Sequence, residues 1–188
     1  MQVGRRGTRA TALVGIASLS LLASACGGSN SAAPPTIRAN SATTTSAPTT
    51  TTTDPTTTAV LQAYRAGWAA FEHALADANP EDPELTATMV APQLTGVRAN
   101  LVADQQQGMV GRGTFTLHPK ITSLLATTAT VVDCAYSTSV LVYAKTGKAV
   151  PPITPPENDG VQSQLVLAAG VWKVYKQTET DGKCAPGS

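Results

Sequence analysis

The stretch TVVDCAYSTSVLV, residues 130–142, decides how this chain is read. Thr130, Val132, Cys134, Tyr136, Thr138, Val140 and Val142 alternate with their neighbours, and the run is rich in β-branched residues. Period-two alternation lays such residues along one face, so the segment predicts one long strand. Short strand candidates precede it at 114–118 and 121–125, separated by Pro119. After it, Thr146-Gly147-Lys148 marks a turn and a proline-rich loop follows, PPITPPENDG. Residues 161–167 and 171–178 then form a last pair joined by a tight turn through Ala169-Gly170.

Upstream of Gly108 the period changes. Leu61, Tyr64, Trp68, Phe71 and Leu75 step by three and four, which lays them on one face of an amphipathic helix. Threonines 56 to 58 can cap its start, and Asn79-Pro80 ends it. Asp82-Pro83 opens a shorter helix with proline in its first turn, stopping near Pro92. Leu94, Val97, Leu101 and Val102 mark a third helix, closed near Gly108. Three helices followed by an antiparallel meander make an α+β domain, with N-terminal helices packed against a sheet.

The helix-rich start, the meander and the final Gly170-Val171-Trp172-Lys173-Val174 resemble the nuclear transport factor 2-like superfamily. Its last strand typically opens with glycine, then tryptophan and an apolar residue two places on. The resemblance covers residues 59–180 and implies a cone, a curved antiparallel sheet wrapping the helices around a pocket. Members include isomerases, dehydratases, polyketide cyclases and non-enzymatic binding modules, so the resemblance speaks to fold before function.

Residues 1–25 read as a signal peptide. Arg5, Arg6 and Arg9 form a basic n-region, an apolar stretch too short to span a bilayer follows, and Leu22-Ala23-Ser24-Ala25-Cys26 resembles a bacterial lipobox. Cys26 is therefore the expected lipidation site, holding the chain to the membrane by its N-terminal lipid. Ala23-Ser24-Ala25 would also suit ordinary signal peptidase at the same bond, leaving a free N-terminal cysteine. Residues 26–58 form the anchor and a Thr/Pro-rich tether, with eleven threonines in the eighteen residues 41–58. Such composition buries too little apolar surface to offset chain entropy. The 32 residues after Cys26 would span about 30 Å as a flexible coil, and Thr-Pro tracts invite O-glycosylation. That leaves 59–188 as one α+β globular domain. Heavy use of Ala, Thr and Val suits a GC-rich, actinobacterial source.

Losing the three signal arginines takes the balance from 13 basic against 12 acidic residues to 10 against 12, from +1 to −2. No basic block remains, which disfavours nucleic-acid binding. Cys134 and Cys184 are left as a pair on the oxidising side of the membrane, and a meander can bring them side by side as a disulfide. Closing the loop of 50 residues between them stabilises a fold by roughly 4 kcal/mol. A metal site or catalytic thiol has no second cysteine or histidine at ligand spacing to support it.

No motif assigns a catalytic, cofactor-binding or metal-binding residue. In some enzymes of the resembled superfamily a His-Asp pair inside the cone does acid-base chemistry; Asp133, Asp104 and His118 are the candidates in this chain. Asp133 alternates with Cys134 and so points to the opposite face, and His118 precedes a proline at a bend. His73, next to Glu72, flanks the helical stripe. Tyr136, Trp172 and Trp68 are the candidate pocket residues, with Tyr143 on the opposite face from Tyr136. Against a pocket stands simple packing, since the chain has eight aromatic residues and a core this size needs most of them. The expectation is a membrane-anchored extracytoplasmic lipoprotein with a non-catalytic domain that binds an envelope protein or an apolar ligand. The alternative is an isomerase- or cyclase-like enzyme acting on an apolar small molecule. A buried ionisable group facing the pocket would mark the enzyme; an exposed apolar patch on the sheet would mark an assembly partner.

Overall fold

A computed structural model describes residues 54–153 and 155–185. The signal peptide, Cys26 and almost all of the tether lie outside the described residues. The elements run α1 (Pro55–Ala76), α2 (Pro83–Thr88), α3 (Gln93–Gln106), β1 (Met109–Arg112), β2 (Phe115–Thr116), β3 (Lys120–Leu124), β4 (Thr128–Ser137), β5 (Val140–Tyr143), β6 (Glu157–Ala168) and β7 (Val171–Lys183). This is the α+β order expected, with the helices packed against an antiparallel sheet. No helix among the described residues is long and apolar enough to cross a membrane.

α1 starts earlier than its threonine caps suggested. Asp54 precedes Pro55 in the first turn, and no side-chain cap bond forms; Pro55 has no N–H to satisfy, which suits that position. The stripe that faces inward is Val60, Tyr64, Trp68, Phe71 and Leu75, all buried, while Leu61 is only half-buried. Gly67 on the same helix lets α1 lie close to the sheet, because a Cβ there would sit 2.8 Å from Val174 Cγ2. α2 begins as expected, with the Asp82 side chain accepting from the Glu84 N–H at 2.9 Å.

The main sheet runs β2-β4-β6-β7, with β3 also pairing β4. β4 and β6 register without a break from Thr128↔Val166 to Ser137↔Glu157. β7 pairs β6 with two register shifts, one of them between Asp159 and Val161. Ala169 and Gly170 both have positive φ and close the hairpin between β6 and β7 as a two-residue turn. The edge of β7 is covered: Val90 N–H donates to Val174 O at 3.0 Å and Gln177 N–H to Gln93 Oε1 at 2.9 Å.

The long strand of residues 130–142 is corrected by the structure. It ends at Ser137 and resumes as β5, which pairs β1 in a separate two-stranded sheet. Thr138 N–H is taken by Thr114 O at 3.0 Å, and Ser139 N–H by Ser137 Oγ at 3.2 Å. Alternation in the sequence cannot report such a break, because it runs on through Thr138 while the buried parity changes, from Ala129, Val131, Asp133 and Ala135 on β4 to Val142 on β5. β1 had no signal, being four residues with a glycine among them.

Candidate functional site

The inner face of the sheet is where chemistry could be housed. β4 turns Ala129, Val131, Asp133 and Ala135 toward the helices, and three of those four join the core cluster with the α1 stripe. The two alanines leave room for large rings from the helix. Trp68 stands edge-on to Tyr64 and Phe71, at centroid distances of 6.5 and 6.4 Å, and lies 4.6 Å from Phe115. Asp133 is the exception in this apolar setting. It is 6% exposed, and its two oxygens have one donor each: the Tyr64 hydroxyl at 2.9 Å on Oδ2 and the His118 backbone N–H at 2.7 Å on Oδ1.

Burial raises the Asp133 carboxyl above the ordinary carboxylate range, against the lowering effect of the bonds from His118 and Tyr64. Burial also raises the Tyr64 hydroxyl far above its usual value, and the neighbouring Asp133 charge adds to this. The His118 ring does not meet Asp133. Its Nδ1 lies 3.2 Å from Cys134 O, and since a carbonyl only accepts, Nδ1 must be the donor there. His118 and Asp133 are thus neighbours through the backbone, not a side-chain acid-base pair. Asp104 is buried on α3.

The three candidate pocket residues are not brought together. Trp68 and Trp172 are both in the core cluster on the inner face. Tyr136 has the parity of Cys134 on β4, so it points out of the opposite face and is 38% exposed. The pocket reading fails at Tyr136 because the inner parity on β4 belongs to the smaller side chains. Tyr143 is exposed on β5. Cys134 and Cys184 are joined by a disulfide that spans 50 residues and ties the end of β7 across β6 to β4.

A cleft of about 120 Å³ opens elsewhere, between the end of α1 and the β1–β2 segment, lined by Glu72, Leu75, Gly111, Arg112, Phe115 and Ser139. Its polar groups are engaged: Glu72 Oε1 accepts from the Phe115 N–H at 2.6 Å, and Arg112 Nη1 donates to the Ala76 and Gly111 carbonyls, each at 2.7 Å. His73, Asp82 and Glu84 place ligand atoms within 4.8 Å of one another, a spacing that a metal could use. Asp82 already spends both oxygens, on His73 Nδ1 at 2.7 Å and on the Glu84 N–H, so the group staples α1 to α2.

Sequence reasoning placed Asp133 opposite Cys134 but missed its partner. Tyr64 reads as one more apolar step of a helix stripe, and the partner is 69 residues away, where no local spacing can signal it. The usable signal was a lone carboxylate on the inner face of a strand, which needs a donor from the element packed over it.

No family model matches the chain, and no curated protein matches its sequence. Among solved structures, the intermembrane space region of chloroplast protein ARC6 is similar with a TM-score of 0.50 and 13% identity, covering 63% of this chain and 91% of that one. At that identity the likeness shows the fold alone. A protein of unknown function with a cystatin-like fold from Nostoc punctiforme matches with a TM-score of 0.39 and 14% identity, over 65% and 87% of the two chains. A protein of Novosphingobium aromaticivorans provisionally named scytalone dehydratase matches with 0.40 and 16%, over 67% and 89%. At these TM-scores neither match carries an argument about this chain.

Proposed function

We propose that this chain is a lipid-anchored lipoprotein of the outer face of the cell membrane, whose folded domain is a non-catalytic binding or interaction module. The observation that carries the reading is the closure around Asp133. An acid-base catalyst must exchange protons with a substrate, within hydrogen-bond reach of it. Asp133 on the inner face is 6% exposed and has one donor on each oxygen, the Tyr64 hydroxyl and the His118 backbone N–H, which leaves it closed to a substrate. The raised pKa of Asp133 then reflects burial of a structural carboxyl, a common alternative to catalysis. The Cys134–Cys184 disulfide supports an extracytoplasmic location, since such bonds persist in oxidising compartments. The basic n-region and the Ala25-Cys26 junction support the anchor.

Labelling cells with a fatty-acid analogue should mark the wild type and leave Cys26→Ala unmarked. The same preparation, digested without reduction, should yield the Cys134 and Cys184 peptides linked. Equal labelling of the two proteins contradicts the anchor, and two free thiols in envelope material contradict the compartment.

A further inference from the structure

We propose that one end of the sheet, formed by the turn between β3 and β4 and the turn between β6 and β7, rests on the lipid bilayer. This builds on the reading of the chain as lipid-anchored. The two turns lie side by side, since Leu167 N–H donates to Thr127 O at 2.9 Å. These turns and the strand ends beside them carry three of the exposed large apolar residues of the domain: Leu125 at 64%, Val171 at 54% and Leu167 at 36%. Single exposed apolar residues are ordinary on any surface; three at adjacent turns, with Ala126 and Ala169 exposed among them, are not isolated. Neither turn brings a charge. Residues 121–132 contain no acidic or basic side chain, and neither do residues 160–172.

The direction of α1 places this end beside the point where the chain enters the domain. Tyr64 reaches Asp133, midway along β4, while Glu72, about two turns later, reaches Phe115, which pairs with Ser137 at the far end of β4. The last turns of α1 therefore lie toward Ser137 and its first turns toward Thr128, where the two apolar turns are. The chain that leads from Cys26 joins the domain at Pro55, on that side. A protein partner would fit less well, because protein interfaces favour aromatic and arginine anchors, and these turns expose neither. Binding at a bilayer boundary scales with the apolar area buried there, which these turns and strand ends supply through Leu125, Leu167 and Val171. Leu125 N–H donates to Thr128 O at 2.8 Å, which closes one turn on itself.

The test uses the full chain, purified from membranes in detergent and reconstituted into phosphatidylcholine–phosphatidylglycerol vesicles whose acyl chains carry bromine. Leu125→Trp, Val171→Trp and Tyr143→Trp each add one fluorophore to the two buried tryptophans. Tyr143 serves as the control, because β5 pairs β1, whose Gly111 and Arg112 meet Leu75 and Ala76 at the opposite end of α1. Emission added at 125 and 171 should shift to the blue and be quenched by bromine, as for a side chain at the headgroup–acyl boundary, while that at 143 should not change. If Leu125→Trp does not fold, Val171→Trp carries the test alone. Protein that bears the fatty-acid label yet shows the same emission at 125, 171 and 143 overturns this inference and leaves the anchor standing. Protein without the label, recovered apart from the vesicles, overturns the anchored reading and this inference with it.

Discussion

Tyr64 and Asp133 hold one another in a place where water cannot substitute for either. Tyr64→Phe keeps the ring and removes the hydroxyl, so Asp133 Oδ2 loses its donor inside the core. Leaving a buried acceptor unpaired costs about 1–3 kcal/mol. Urea denaturation should read a loss of that size; a change near zero would mean that solvent reaches the carboxylate. The pH dependence has a definite sign. The Asp133 carboxyl is raised in the folded protein, so the native state binds its proton more tightly than the unfolded chain does. Its contribution to stability is then full below the unfolded carboxylate value near 4 and is lost as pH rises through the raised folded value. Asp133→Asn has no such proton. The stability of wild type minus that of the variant, measured by urea denaturation from about pH 3 to 8, should fall across that window and stay flat above it. A difference that climbs with pH would show that bonding, not burial, dominates the carboxyl.

At the scale of elements, the disulfide fixes the end of β7, where the last shift in register leaves Asp159 paired with Lys183. Removing it with Cys184→Ser reopens a 50-residue loop in the unfolded chain and should cost about 4 kcal/mol by the chain-entropy relation. Denaturant midpoints of wild type and variant measure it directly, and an unchanged midpoint would show that β7 needs no tie. Several elements were legible from local chemistry. The α1 stripe follows helical spacing, Asp82-Pro83 starts α2, and Ala169-Gly170 turns between β6 and β7. Others left no such trace. The bend at Thr138 and Ser139 interrupts pairing without interrupting alternation. β7 continues past Thr178 through Glu179-Thr180-Asp181-Gly182-Lys183, a polar run that reads as a loop until Asp159 is found pairing with Lys183. The disulfide was legible because two cysteines remain after Cys26, whereas the Tyr64–Asp133 bond depends on how α1 lies over β4, which no spacing encodes.

For the molecule as a whole, the question is whether the inner face holds side chains or a ligand. Trp172 and Val174 on β7 and Trp68, Phe71 and Leu75 on α1 share one buried cluster. A core filled in this way assigns Trp172 to packing, and truncating a large buried aromatic typically costs about 3–5 kcal/mol. An inner face that takes up a small molecule would assign it to binding. The most direct measurement is a titration of the full chain with a fluorescent apolar probe, paired with denaturation of Trp172→Ala under the same conditions. A filled core gives no saturable probe binding by the wild type and a loss of about 3–5 kcal/mol in the variant. Tight, saturable uptake by the wild type, abolished in Trp172→Ala while its stability stays close to that of the wild type, would contradict the closed, non-catalytic domain and make it a ligand carrier.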